Sequence, residues 1–434
     1  MFGTSGIRGV FGKDVTVGLA LEVGQAIGGK GKTLFIGRDT RPSGIALENA
    51  LASGALSSGA DVVRIGIAPT PTTSYASRSS LGAMITASHN PPEYNGIKLF
   101  EEGEEIAREK ERGIEKALGE KRWEFKGLGK ERYISTAIRE HSELVLSRVD
   151  IELIEKRKPK VLVDAGNGAG GVIMPYVLRR AGCKVVALNC EPTGFFARNL
   201  EPNAQNLEET AKVARSIGAD LAIAHDGDAD RAIILDEKGE MLGLDSQLAL
   251  MCSDVLSKKK GVVVTTVEAS LAIREAIESS GGKTLITKVG SLHVGEALKK
   301  AGGVFGGEPC GEYIFPGNHL VPDGIMAGLR FVELFCESGS LGDAAGKIKK
   351  YPMKRAKYPC KDKLKAMEKI LERAKELGGK QSTGDGVRVD FEDSWVLIRA
   401  SGTEPIIRIT CEHKDKKGLE ALFSRAEKIV LGSV

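Results

Sequence analysis

From position 86 the chain reads Thr86-Ala87-Ser88-His89-Asn90-Pro91-Pro92-Glu93-Tyr94-Asn95-Gly96-Ile97-Lys98, with a hydroxyl, an imidazole and an ammonium inside eleven residues, 88–98. Pro91-Pro92 denies the segment a helix and leaves a rigid polar loop. Ser88 there suits a nucleophile or phosphate acceptor, with His89 or Lys98 moving protons and offsetting charge. An inert Asn-Pro turn fits the same residues. A second loop, His225-Asp226-Gly227-Asp228-Ala229-Asp230-Arg231, alternates three aspartates. Like charges about 6 Å apart repel by roughly 3 kcal/mol per pair at an effective dielectric of about 20, so the cluster needs a cation or full solvation. Hard oxygen donors of this kind suit Mg²⁺, and the lack of EF-hand ligand spacing beyond Asp230, with Arg231 at the sixth position and Ile234 at the ninth, excludes an EF-hand. A third, Arg399-Ala400-Ser401-Gly402-Thr403-Glu404-Pro405, offers a guanidinium and hydroxyls to a phosphate. The start, Phe2-Gly3-Thr4-Ser5-Gly6-Ile7-Arg8-Gly9, is either a phosphate-binding loop or a loose terminus. Glu308, in Gly306-Gly307-Glu308-Pro309-Cys310-Gly311-Glu312, takes its interest from its place in the repeat described next. Together these parts suit phosphoryl transfer, whose catalysis is mostly positioning and charge neutralisation. A phosphate on Ser88 would add nearly two negative charges beside three carboxylates, which strengthens the need for a metal.

Such loops need strands to hold them. The apolar run 82–85 reads as a buried strand, so Ser88 falls at a strand's C-terminal end, where open α/β sheets bind ligands. Ahead of it come a strand at 33–37, an Ala/Leu-rich helix to Ser58 and a strand at 61–67. The order recurs with strands at 160–163, 184–188 and 221–224, the last opening into the aspartate loop. It recurs again with strands at 261–266, 284–287 and 304–305, the last opening into the Glu308 loop. This is an internal repeat of a parallel α/β unit about 100 residues long. The tail differs: a helix at 364–377, alternating strands at 387–391, 395–398 and 406–410, and a helix from Leu419 make a small antiparallel α+β domain. The divisions expected are 1–148, 149–245, 246–352 and 353–434.

Lys+Arg 62 against Asp+Glu 58 gives a net charge of +4 with no basic block, which argues against a nucleic-acid partner. Seven scattered cysteines without a C-x-x-C pair argue against a disulfide framework and a zinc site, and fit a reducing cytoplasm. No apolar run reaches about 18 residues and no charged-then-apolar leader opens the chain, so neither a membrane span nor a signal peptide is expected. Nothing in the sequence specifies an oligomeric state.

The loops T-A-S-H-N-P, D-G-D-A-D-R, G-E-P-C-G and R-A-S-G-T-E-P, in this order after F-G-T-S-G-I-R-G, resemble those of the α-D-phosphohexomutase superfamily over essentially the whole chain. Archaeal-type phosphoglucosamine mutases are the most similar branch, with the phosphomannomutase/phosphoglucomutase branch next. The resemblance implies three similar α/β domains with mixed sheets and a C-terminal α+β, TATA-binding-protein-like domain around a central cleft. It implies Ser88 as the phosphoserine, with Asp226, Asp228 and Asp230 on Mg²⁺ together with an oxygen of Ser88. Arg8, His89, Lys98 and Arg231 match positions lining the reaction centre. Glu308 and Cys310 match sugar-hydroxyl contacts, Lys288 a cleft lysine of some relatives, and Arg399, Ser401, Gly402 and Thr403 the holder of the non-reacting phosphate. The activity implied is exchange of phosphate between O6 and O1 of a hexose phosphate through a 1,6-bisphosphate, which also serves as activator.

Two departures bear on the substrate. Many members read G-E-x-S-G-H, where this chain has Cys310 for the serine and Glu312 for the histidine. A second carboxylate suits a substrate ammonium, so glucosamine 6-phosphate and glucosamine 1-phosphate are the expected pair, ahead of mannose and glucose phosphates. An Mg²⁺-dependent sugar phosphatase and a non-catalytic sugar-phosphate sensor are the other classes. Converging glycine-rich loops that exclude water speak against the first, and the intact set of Ser88 and aspartates against the second.

Overall fold

The computed structural model describes residues 1–434 apart from Thr4, 121–124, Lys126, Pro202 and 402–403. Among the described residues four sheets follow one another along the chain. In the first, Leu81–Ile85, Thr33–Arg38 and Asp61–Ile67 run parallel. Tyr94–Glu101 then lies antiparallel between Leu81–Ile85 and Ile7–Val10. The second sets Leu221–Ala224 parallel to Lys160–Asp164 and antiparallel to Ile233–Leu235. The third repeats the plan, with Val262–Thr266 parallel to Phe305–Glu308, which pairs antiparallel with Glu312–Ile314. The sheets are therefore mixed for one repeated reason: each reactive loop is the short return from a buried parallel strand to an antiparallel neighbour. That geometry delivers Ser88, the three aspartates and Glu308 at equivalent sheet ends.

Several stretches that read as loops are strands: Gly306 to Glu308 belong to Phe305–Glu308, Arg399 and Ala400 end Ser394–Ala400, and two more lie beside the Ser88 turn. Beyond Pro91-Pro92 the chain enters Tyr94–Glu101, where Asn95 to Phe100 are buried, so Lys98 projects from sheet rather than loop. The N-terminal Ile7–Val10 pairs with that strand, placing Arg8 opposite Gly96. Pairing supplies what these sequences lack in strand character, with Tyr94–Glu101 held between two partners and Ile7–Val10 added at the edge.

The second and third units share one core, in which Val177 and Ile223 belong to the same cluster as Phe305, Tyr313 and Phe331. Helix Gly324–Ser338, started by Asp323 Oδ1 accepting from the amides of Ile325 (3.1 Å) and Met326 (2.9 Å), supplies much of it. The tail is a five-stranded antiparallel sheet in the order Met353–Pro359, Ile406–His413, Ser394–Ala400, Val387–Asp390, Lys380–Ser382. Its helices Lys363–Arg373 and Lys416–Leu431 cover one face. The expected single helix at 364–377 ends in a 3-10 turn, Ala374–Leu377, before Gly378. The outer strands Met353–Pro359 and Lys380–Ser382 carry too many lysines, arginines and polar residues to read as strands alone. On the other face Trp395 and Leu397 pack against Val267 and Leu271 of the third unit.

Candidate active site

Ser88 follows strand Leu81–Ile85, is 1% exposed, and has a positive φ of 50°. A left-handed conformation costs a non-glycine residue about 1 kcal/mol or more, so its surroundings must hold it there. They do so through residues whose part the sequence did not disclose. The fully buried Arg41 guanidinium donates to the carbonyls of Ser88 (2.9 Å), Asn90 (2.7 Å), Pro91 (2.6 Å) and Tyr94 (2.8 Å). Asp39 orients Arg41 at 2.9 Å and accepts from the Thr86 hydroxyl at 2.7 Å, which in turn accepts from the Ser88 amide at 2.9 Å. The one available signal was an Asp-x-Arg pair at the C-terminal end of a neighbouring strand.

The aspartate loop is rooted in the same way. Arg198 donates to the His225 carbonyl (2.8 Å) and to the Asp164 carboxylate (2.9 Å). A Cβ on Gly227 would lie 2.6 Å from the Ser88 carbonyl oxygen, so only glycine lets the two loops touch. The Ser88 hydroxyl then donates to Asp226 Oδ2 at 2.6 Å.

The donor oxygens of Asp226, Asp228 and Asp230 lie within 4.8 Å of one another, and all three side chains are buried. Lys98 donates to Asp228 and to Asp230, each at 2.7 Å, and Thr70 to Asp228 at 2.5 Å. Burial, then the charges of Asp230 and Asp228, push the pKa of Asp226 well above the ordinary carboxylate value. Burial and the Asp228 charge also raise Asp230. Burial opposes ionisation of Asp228 too, but the Lys98 ammonium outweighs it and holds that carboxyl below its ordinary value. Oδ1 of Asp228 and Oδ1 of Asp230 are buried without a hydrogen-bond partner. Orphaned hard oxygens beside a fully buried acid cluster are the donor set of a divalent metal.

His89 Nδ1 lies 3.3 Å from the Ser88 hydroxyl and its Nε2 3.3 Å from Glu201. Burial, and then the charges of Arg231 and Arg8, lower its pKa to about 3, so the ring is neutral. Arg8, His89, Asp230, Arg231, Glu308 and Cys310 line one cavity of about 230 Å³. Arg8 Nε is buried there without a partner. Glu308 accepts from the Gly290 amide at 3.1 Å, and burial, then the Glu312 charge, raise its pKa well above the ordinary value. Burial and the same charge raise the Cys310 thiol, which is thereby a neutral group and not a nucleophile. Glu312 lines the cavity but is engaged: its Oε1 takes Arg231 Nε at 3.2 Å and Nη2 at 3.1 Å.

The remaining expected residues stand apart from that cavity. Arg399 pairs with Glu268 of the third unit and Asp385 of its own, each at 2.9 Å. Glu268 itself lines the cavity, so one ion pair separates Arg399 from it. Ser401 is buried, and its hydroxyl accepts from the Glu404 amide at 3.2 Å. Gly402 and Thr403 lie outside the described residues. Lys288 is exposed, beside Gly384 of the fourth unit.

Comparison with known proteins places this geometry. Family models described as phosphoglucomutase/phosphomannomutase alpha/beta/alpha domains I, II and III match residues 1–124, 139–239 and 244–351, and the C-terminal domain matches 353–429. The chain is 42% identical over 447 residues to a protein of Pyrococcus abyssi named "Probable phosphoglucosamine mutase", covering 100% of this chain and 98% of that one. It is 42% identical over 435 residues to a Thermococcus kodakarensis protein named "Phosphoglucomutase/phosphomannomutase", covering 96% and 95%. A crystal structure of a phosphoglucomutase/phosphomannomutase family protein from Burkholderia thailandensis superposes with a TM-score of 0.90 at 26% identity, covering 100% and 98%.

Proposed function

The chain belongs to the phosphoglucomutase/phosphomannomutase family, and we propose that it is a phosphoglucosamine mutase interconverting glucosamine 6-phosphate and glucosamine 1-phosphate through a phosphoserine at Ser88. The observation that carries this reading is the Ser88 hydroxyl, 2.6 Å from a buried three-aspartate cluster and beside the cavity that Glu308 lines. Phosphorylated Ser88 gives its phosphoryl group to the free sugar hydroxyl; the resulting 1,6-bisphosphate turns end for end, and Ser88 recovers the other phosphate. A hexose 1,6-bisphosphate therefore primes the unphosphorylated enzyme. Asp226, Asp228 and Asp230, with an oxygen of the phosphorylated Ser88, hold Mg²⁺, which supplies charge neutralisation when bound.

The chain's own groups divide the rest of the work. Lys98 stays protonated, because the attraction of Asp228 and Asp230 exceeds the burial that opposes its charge, and it offsets negative charge at the transferring group. Neutral His89 has a ring nitrogen beside Ser88 that can accept a proton. Arg8, with its buried and unpartnered Nε, and Arg231 face phosphate oxygens. Glu308 orients sugar hydroxyls, with the Cys310 thiol as a weak second contact. Arg399, Ser401, Gly402 and Thr403 hold the distal phosphate, which takes the place of Glu268 and Asp385 on Arg399. Lys288, exposed beside the fourth unit, reaches substrate only if that unit closes on the third.

A second reading has its own support. The Glu312 carboxylate expected to favour an amine is neutralised by Arg231, and that keeps the phosphomannomutase/phosphoglucomutase specificity open alongside the Thermococcus relative. Turnover of glucosamine, mannose and glucose 1-phosphates, measured by phosphorus NMR with catalytic bisphosphate, separates the two. The proposal expects glucosamine phosphate to have the highest kcat/KM; a tenfold preference for a neutral sugar would replace it with the second reading. Release of free phosphate at the turnover rate would replace both with a phosphatase.

A further inference from the structure

We propose that His141, His319 and Asp323 form a second metal site, separate from the aspartate cluster, for a divalent transition ion of the Zn²⁺ class. His141 and Asp323 are 0% exposed and the His319 side chain 4%. Nε2 of His141 lies 3.1 Å and Nε2 of His319 3.2 Å from the same oxygen, Asp323 Oδ2. Around a tetrahedral ion with bonds of about 2.1 Å, neighbouring donors stand about 3.4 Å apart. Both nitrogen-to-oxygen distances are near that spacing, and all three donor atoms lie within 4.8 Å of one another. The set contains no cysteine, which is why counting cysteines could not disclose it.

Two of the three ligands are oriented from behind. Asp323 Oδ1 is fixed by the two amides at the start of helix Gly324–Ser338, leaving Oδ2 to face the imidazoles. Thr72 Oγ1 lies 2.9 Å from His141 Nδ1; with Nδ1 as the donor there, Nε2, which meets Asp323 Oδ2 at 3.1 Å in hydrogen-bond geometry, has a lone pair that a metal would take in place of that bond. His319 supplies the independent sign of a missing ligand. Its ring is buried, yet neither nitrogen has a hydrogen-bond partner, and its Nε2 approaches Asp323 without the alignment of a hydrogen bond.

Of the three ligands, His319 lines, with Asn318, a cavity of about 430 Å³ bounded by Arg78 and Glu102 of the first unit and Lys299 of the third. Water entering from that side would take a fourth position. Imidazole-rich donors select ions softer than Mg²⁺, so the two sites fill independently. The consequence reaches the active site through helix Thr70–Ala76. Its Thr70 donates to Asp228 and its Thr72 meets His141, so the ion staples the first unit to the third and steadies the helix that orients Asp228.

The full-length protein is equilibrated with Zn²⁺ in excess Mg²⁺, desalted and analysed for metal. One equivalent of zinc is expected in wild type and in Asp228→Asn, with affinity falling more than about a hundredfold in His319→Ala. Added Zn²⁺ should raise the melting temperature of wild type and not of His319→Ala. Co²⁺ in wild type should show the absorption of a tetrahedral nitrogen and oxygen site, a readout that needs no variant to fold. Wild type without zinc and without the cobalt spectrum overturns the site, leaving one imidazole bonded to a helix-capping carboxylate and a second packed beside it. Zinc kept by His319→Ala but lost from Asp228→Asn overturns it equally, by assigning the ion to the aspartate cluster.

Discussion

The loops of the first two units and those of the last two are built to different standards of rigidity. Ser88 and the aspartates are buried, and each loop is rooted by an arginine bonded to its carbonyls, Arg41 in one case and Arg198 in the other. Glu312 in the cavity, and Arg399 one ion pair beyond it, are held by ion pairs of about 3 Å between half-buried or exposed side chains. Backbone clamps cannot exchange with a ligand, whereas ion pairs can. On the proposed function, the chemistry is thus pre-organised, and recognition waits in contacts that a phosphate would replace.

The sharpest test of that contrast is the rigid side. Asp228→Asn should lower kcat by about three decades or more, since it removes a buried charged donor and leaves Lys98 paired with Asp230 alone. Full Mg²⁺-dependent turnover in this variant would remove the aspartates from the mechanism. Next in size, Arg41→Ala touches no substrate, yet it should cost about two decades in kcat with KM little changed, because misplacing Ser88 by about 1 Å is enough. A loss confined to KM would show that the clamp serves binding instead.

On the exchangeable side the effects should be smaller and fall on KM. Arg399→Ala removes charge-assisted contacts of about 1.5–3 kcal/mol each, so KM should rise by about one to two decades. Glu268→Gln should move it the other way, within about tenfold, by freeing Arg399 for phosphate. If Glu268→Gln also weakens binding, the ion pair positions Arg399 and does not compete with substrate.

The smallest effect is on stability and belongs to the rigid side. His225 donates from Nδ1 to the Arg231 carbonyl while its Nε2 is buried unpartnered. Burial lowers its pKa from 6.5 to about 4. Below pH 6.5 the unfolded chain takes up a proton that the folded ring refuses until about pH 4, so stability falls with acidity across that window. The slope from this residue is at most about 1.4 kcal/mol per pH unit. Urea unfolding at several pH values should show the slope reduced in His225→Gln; an unchanged slope would assign it to other groups.

Sequence alone determined which residues could react, because each reactive set is local. Ser88 with His89, and the three aspartates, are near neighbours in the chain, and each set follows an apolar run that reads as a strand. The threefold repeat was legible for the same reason, since period and punctuation are short-range signals. Only the tertiary structure decided how those sets meet. Lys98 lies 130 residues from Asp228, Arg41 47 from Ser88, Arg231 81 from Glu312, and His141 182 from Asp323. Sequence reading treated residues 94–98 as loop and Glu312 as open to an amine. In the structure a sheet partner and an arginine claim them. Pairings across such separations leave no periodic trace in a chain. They are selected at folding, when burial makes an unpartnered charge or amide cost several kcal/mol, and each buried group takes the partner that the packed sheets bring within reach.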